Sequence, residues 1–326
     1  MRVTASAPGK VILVGEHFVV ENEPAVALAI NLRALVTVED NEGSDVFYSK
    51  NLGAFVEVKE GRVLKGAGDG FEVLRPLVKI ADILRQYSSV KKPFKLTVNS
   101  SIPPASGMGS SAAVSVAACA ALSRFFNLDI GLDDISKIAY EAEKIVHGKP
   151  SGIDNTISTY AGAIIYRKSE GFIRLDIQID SAAVIIADSG IPRRTGEMVK
   201  QVRDLKKRYP EVLDPLYHAA GHLSIEAARA LEEGDLWKLG ELMNINHGLL
   251  SAIGVSNMKL EELVYTARRA GALGAKITGA GGGGCIIAIA YKKKADNIAR
   301  ALKKVASRVY VLEATRKGVS IDEVVS

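Results

Sequence analysis

Pro104-Ala-Ser-Gly-Met-Gly-Ser-Ser-Ala112 is the stretch on which the fold turns. Gly107 and Gly109 let the backbone take angles that other residues resist and let a ligand approach the main chain. Ser110 to Phe126 follows as a small, apolar, breaker-free run and reads as a buried helix. The start of that helix aims free N–H groups and its positive dipole end at an anion. Ser110 and Ser111 add hydroxyls that can bond a phosphate oxygen or ligate Mg²⁺. Pro104, Ala105, Ser106, Gly107, Met108, Gly109, Ser110, Ser111 and Ala112 are therefore the candidate phosphate cradle. The competing reading is a glycine turn that merely lets a small-residue helix pack tightly.

Two better-known phosphate motifs fit less well. G-x-x-x-x-G-K-[ST] does not occur, which excludes a P-loop NTPase. G-x-G-x-x-[GA] occurs by letter at Gly107, Gly109 and Ala112, and again at Gly279, Gly281 and Gly284. In a dinucleotide fold the turn follows its strand directly and opens a helix. Here Ser100 to Ser106 intervenes in the first case, and Cys285-Ile-Ile-Ala-Ile-Ala, a strand, follows the second. A dinucleotide-dependent oxidoreductase is a remote alternative.

Further out, Lys10 to Val14 and Ala34 to Glu39 read as strands, Gly70 to Tyr87 as a helix, and Phe94 to Val98 as a strand. Leu132 to His147 reads as a helix capped by Asp133 or Asp134. Tyr160 to Tyr166 and Ala182 to Ala187 look like strands. Gly196 to Gly271 is mostly helical with a break at Tyr209-Pro210. Strands at Lys276 to Thr278 and Cys285 to Tyr291, a helix over Ala295 to Val305 and a strand over Arg308 to Glu313 complete the pattern. Without a steady βαβ rhythm the mixture is α+β, divided near residue 180 into segments 1–180 and 181–326.

The 326 residues are enough for one large or two ordinary domains. The net charge of +5 is mild, and basic and acidic residues are mixed. No basic face or tail points to nucleic acid, and 6% aromatics show no clustering for base stacking. Two cysteines cannot staple a chain of this length. No signal-like start and no apolar run of spanning length is present. The expectation is a soluble cytoplasmic protein with a small-molecule substrate and neither nucleic-acid nor membrane partners.

Glu143 lies near the end of its helix, and the chain turns through Gly148-Lys-Pro-Ser-Gly152 to Asp154. Two acids across a tight turn can share a site, one on a metal and the other on a hydroxyl. Taken alone, Glu143 reads more simply as a solvated helix residue and Asp154 as a helix cap. Lys10 reads either as a snorkelling surface lysine or as a group stabilising a transferred phosphoryl. Glu16 and His17 close behind it are equally open.

Three segments together resemble the motif set of the GHMP kinases: Pro8-Gly-Lys-Val-Ile-Leu-Val-Gly-Glu-His17, Pro104 to Ala113, and Lys276-Ile-Thr-Gly-Ala-Gly-Gly-Gly-Gly-Cys285. Within the family, Glu143-Lys-Ile-Val-His-Gly-Lys-Pro-Ser-Gly-Ile-Asp-Asn155 and Ile191-Pro-Arg-Arg-Thr195 are most similar to the branch that phosphorylates mevalonate. The resemblance implies an N-terminal domain like domain 2 of ribosomal protein S5 and a ferredoxin-like C-terminal α+β domain. It implies ATP with its phosphates on the 107–112 loop and Mg²⁺ on Ser111 and Glu143. It implies Asp154 and Lys10 as catalytic residues acting on the mevalonate 5-hydroxyl, with Glu16, His17, Thr195, Gly281 and Gly282 near the substrate, and a homodimer. Phosphomevalonate kinase and mevalonate 3-kinase chemistry are the alternatives within the family, since Arg193 and Arg194 could receive a second phosphate.

Overall fold

The computed structural model describes residues 1–67, 70–104, 106–147 and 150–325, without side chains at 70, 71, 146 and 147. The chain opens with β1 (Arg2–Val14), a 3₁₀ turn (Phe18–Glu21), β2 (Ala25–Asp40), β3 (Asp45–Ser49), β4 (Ala54–Lys59) and β5 (Arg62–Ala67). It continues through α1 (Gly70–Tyr87), β6 (Phe94–Ser100), α2 (Ser110–Phe125), α3 (Leu132–His147), α4 (Ile153–Tyr160), β7 (Ala163–Arg167) and β8 (Gly171–Leu175). The second half holds β9 (Ala182–Asp188), α5 (Thr195–Arg208), α6 (Pro210–Glu233), α7 (Leu236–Ala252) and α8 (Met258–Arg269). It ends with β10 (Gly274–Thr278), β11 (Cys285–Tyr291), α9 (Lys292–Leu302), β12 (Arg308–Leu312) and β13 (Ser320–Val325).

The larger sheet runs β13-β1-β2-β6-β3-β4-β5, with β7 joined to β2 and β8 to β7. One long strand serves two neighbours: β2 pairs with β7 over Ala25–Leu28 and with β6 over Ala34–Asp40. Helix α2 packs on β1 and β2. Ala112, Ala113, Ala117, Ala118 and Ala121 are all buried, and their short side chains let the helix lie close to the strands. The smaller sheet, β10-β11-β9-β12, is antiparallel throughout. Its path, strand, helices, two strands, helix, strand, is the ferredoxin-like arrangement. The chain is thus an α+β protein with two sheets, and β13 returns from the second half to complete the first sheet beside β1.

The helices over 70–87 and 132–147 match the sequence reading to the residue. Strands β3, β4, β5, β8 and β13 were not anticipated. β5 is exposed at every position, so it carries no period-2 signal. The expected strand over 160–166 is shorter, because α4 runs to Tyr160 and Ala161 turns the chain at φ 57°. Asp133 and Asp134 sit inside the first turn of α3 rather than at its cap, where they still complement the helix dipole. Asp133 accepts a hydrogen bond from the Tyr160 hydroxyl.

The returning tail is fastened by Arg33. Its guanidinium donates to the carbonyls of Lys317 at 2.8 Å and Gly318 at 2.7 Å. It also donates to the Ser6 carbonyl and hydroxyl, each at 2.9 Å. Charged hydrogen bonds of this kind contribute about 1.5–3 kcal/mol. Arg33→Met is therefore expected to lower stability by about that amount, read as a lower urea midpoint at constant m value. A midpoint equal to wild type would mean that strand pairing alone holds the tail.

Candidate active site

The phosphate cradle and the lysine of β1 are built as one unit. The Lys10 amide donates to the Met108 carbonyl at 2.9 Å, so β1 hydrogen-bonds the loop directly. Gly109 has φ +71°, and a Cβ there would stand 3.0 Å from Lys10 Cγ. Glycine is thus required both by the left-handed backbone and by the lysine stem. At Gly107 a Cβ would collide with the Arg193 guanidinium, 1.7 Å from Nη1. Ser110 and Ser111 lie in the first turn of α2, with Ser111 exposed. Both line a cavity of about 180 Å³, walled opposite by Leu74 and Leu77 of α1 and floored by Ile102 and Val114. Pro104 lines the same cavity. The Ser106 hydroxyl donates to the Pro103 carbonyl at 2.7 Å and shapes the turn. Met108 and Ala112 are buried. Ala105 lies outside the described residues.

Lys10 is buried, not snorkelling, and its Nζ stands 3.2 Å from Asp154 Oδ1. Asp154 is in the first turn of α4, whose cap is Gly152 at φ 87°; Asp154 is therefore free of capping and turned to the lysine. Glu143 is only 3% exposed, so the solvated reading fails. Burial pushes its carboxyl up to about 8, Asp154 adds to the push, and Lys10 opposes it. Two acids and one ammonium thus meet beside the loop, with Glu143 and Lys10 buried and Asp154 partly open to solvent. Glu141, by contrast, points outward and pairs with Lys144 at 2.6 Å.

On the far side, Glu16 is buried and ion-paired with Lys276 of β10, itself fully buried. Its other carboxylate oxygen, Oε2, has no hydrogen-bond partner among the described residues. His17 takes φ 64°, a costly angle for a side chain of its size, and its Nε2 meets the Ala280 carbonyl at 2.9 Å. Burial lowers the imidazole below its ordinary pKa, which favours the neutral ring. Gly281 and Gly282 have positive φ, and the Gly282 amide donates to the Val255 carbonyl at 2.8 Å. Thr195 opens α5 at the surface.

Lys276 is left without a role by the sequence, and Arg193 is read there only as a possible receiver of a second phosphate. A lysine in a strand otherwise made to be buried requires a buried anion, which was the available signal. Arg193 lies among Gly107, Gly279 and Gly284 and donates to the Thr278 carbonyl at 3.2 Å, joining the first glycine loop to the second.

A helix N-terminus facing a cradle, with a lysine and two acids at its side, is equipment for phosphoryl transfer, which needs alignment and charge neutralisation above all. Residues 75–163 match the GHMP kinases N terminal domain and residues 227–308 the GHMP kinases C terminal, and the chain belongs to this family of kinases. Among its relatives, the mevalonate kinase of Thermococcus sibiricus is 39% identical over the whole of both chains. That of Pyrococcus abyssi is 37% identical over 99% of this chain and 98% of its own. The crystal structure of L. major mevalonate kinase in complex with R-mevalonate superposes with a TM-score of 0.81, at 30% identity and 96% coverage of each chain.

The Glu143 shift has a sign that can be checked in protein free of nucleotide and divalent cations. The unfolded chain releases this proton near the ordinary carboxyl value of 4.5, whereas the folded chain keeps it to about 8. Stability therefore falls as pH rises through that window. Glu143→Gln cannot ionise, so the melting temperature of the variant relative to wild type should climb from pH 5 to pH 8. A difference that does not change with pH would mean that the folded carboxyl is not raised.

Proposed function

We propose that the chain is an ATP-dependent mevalonate kinase, moving the γ-phosphoryl group of ATP to the 5-hydroxyl of mevalonate to give 5-phosphomevalonate, a step of isoprenoid biosynthesis. The observation that carries this reading is the Lys10–Asp154 pair at 3.2 Å beside the phosphate loop, in a chain whose full-length relatives are mevalonate kinases. The adenine would occupy the cavity between α1 and α2, and the phosphates would lie against the amides of 107–112.

Asp154 orients the acceptor hydroxyl and receives its proton as the new P–O bond forms and the bond to ADP breaks. Lys10 pairs with Asp154 at 3.2 Å and balances the negative charge on the passing phosphoryl group. Glu143 and Ser111 would hold Mg²⁺. They fit it as hard oxygen donors, and a dry carboxylate under pressure from Asp154 is a group that a cation suits. Bound there, the ion would offset phosphate charge. His17, Thr195, Gly281 and Gly282 form the acceptor side, and Glu16 anchors that side through Lys276. The reading includes a cytoplasmic homodimer without nucleic-acid partners, built of an N-terminal unit over 1–180 and a C-terminal unit over 181–326 with β13 added to the first sheet.

The deciding assay is ATP turnover with Mg²⁺ on mevalonate, 5-phosphomevalonate, galactose and homoserine, with ³¹P NMR of the product. A phosphomonoester at the mevalonate 5-position is expected. Turnover of phosphomevalonate alone, or phosphate on the 3-hydroxyl, would overturn the substrate and keep the family. Asp154→Asn is expected to lower kcat by about 10²–10⁴-fold while ATP affinity stays within about twofold. Full activity in that variant would remove Asp154 from the mechanism.

A further inference from the structure

Helix α7 is turned inside out over one stretch, Asn244-Ile-Asn-His247. Ile245 is 56% exposed, whereas Asn246 is 0% and His247 4% exposed. Each inward polar side chain is committed to a different segment. Asn244 Nδ2 donates to the Leu273 carbonyl and its Oδ1 accepts from the Ala275 amide, both at 3.1 Å. Asn246 Oδ1 accepts from the Gly15 amide at 3.0 Å in a fully buried bond. His247 Nε2 meets Glu261 Oε2 at 3.0 Å. Ala275 and Gly15 are the immediate neighbours of Lys276 and Glu16, so one helix fixes the backbone beside both members of the buried ion pair.

The turn that Asn246 holds has backbone bonds of its own, from the Phe18 amide to the Glu16 carbonyl at 2.8 Å and from the Val19 amide to the Gly15 carbonyl at 3.1 Å, but the Gly15 amide goes to Asn246. Gly15 sits at φ +99°, where a Cβ would stand 2.6 Å from Ala25 Cα, and His17 two residues on also has a positive φ, 64°. Glycine takes such an angle at little cost, whereas the angle at His17 persists only where the surroundings over-determine it. Packing alone does not explain an asparagine here, because its own Nδ2 finds no partner among the described residues and so costs stability. We propose that Asn246 is a positioning residue for the phosphoryl acceptor: by fixing the Gly15 amide, it sets where Glu16 and His17 stand against Lys276 and Ala280. The inference rests on the mevalonate kinase reading for its kinetic consequence, but not for its structural one.

The test compares Asn246→Leu, which keeps the bulk and loses the acceptor, with Asn246→Asp, which keeps an oxygen for the Gly15 amide. The leucine variant is expected to raise KM for mevalonate by about tenfold or more, with KM for ATP within about twofold of wild type. Hydrogen exchange over residues 13–20 should quicken by about tenfold or more in the same variant. Asn246→Asp should recover both readouts. Unchanged exchange over 13–20, equal loss for both substrates, or failure of the aspartate variant to recover would each overturn the proposal. Should the leucine variant not fold, Asn246→Ser, whose hydroxyl is shorter than the amide reach, replaces it with the same expectations. If wild type does not phosphorylate mevalonate, the functional reading falls, and the exchange measurement alone decides the role of Asn246.

Discussion

The two sheets are tied through one buried charge pair. Glu16 follows the end of β1 in the larger sheet, Lys276 lies on β10 in the smaller one, and neither reaches solvent. Such a pair adds little net stability over an apolar substitute, because both ions are stripped of water. Removing one partner is another matter, at about 3–5 kcal/mol for the charge left behind. The pair therefore acts less as glue than as a register mark. It allows the sheets to meet in one relative position, and the approach of the two glycine loops follows from that position. Arg193 repeats the principle at the rim, with its guanidinium held among glycines of both loops.

The charge arrangement at the chemistry is held more loosely. Lys10 faces Asp154 and also offsets part of the burden on Glu143, so a single cation answers for two carboxylates. Burial and the neighbouring Asp154 keep Glu143 protonated in the empty protein, and the arrival of a cation with the nucleotide would favour its ionised form. Strain at His17, an oxygen on Glu16 unpaired among the described residues and desolvation at Glu143 gather here, as they do where a fold gives up stability for chemistry.

What could be read in the sequence divides by distance along the chain. Helices α1 and α3 and the cradle before α2 are local objects: periodicity, small residues and glycine spacing define them within twenty residues. Lys10, Glu143 and Asp154 each had an ordinary reading of equal or greater weight, and became candidates together only through the family motifs. Lys276 in a buried strand calls for a buried anion, but which one, and what Asn246 holds, were out of reach, because Glu16 and Gly15 lie 260 and 231 residues away. Strands β3 to β5 escaped for a different reason. They are short, and β5, the last of them, is exposed on both faces, so no alternation marks it.

The return of β13 to β1 bears on how the protein is made. β1 is made just before β2, with which it pairs, yet its other edge waits for a strand roughly three hundred residues later. At the usual pace of synthesis that interval is about 15–60 s. Throughout it, a mostly buried-type strand offers an open row of backbone donors and acceptors, the pattern that recruits foreign strands. Completion of the larger sheet therefore waits on a distant part of the chain, and until then the β1 edge is a place where a growing chain can mispair.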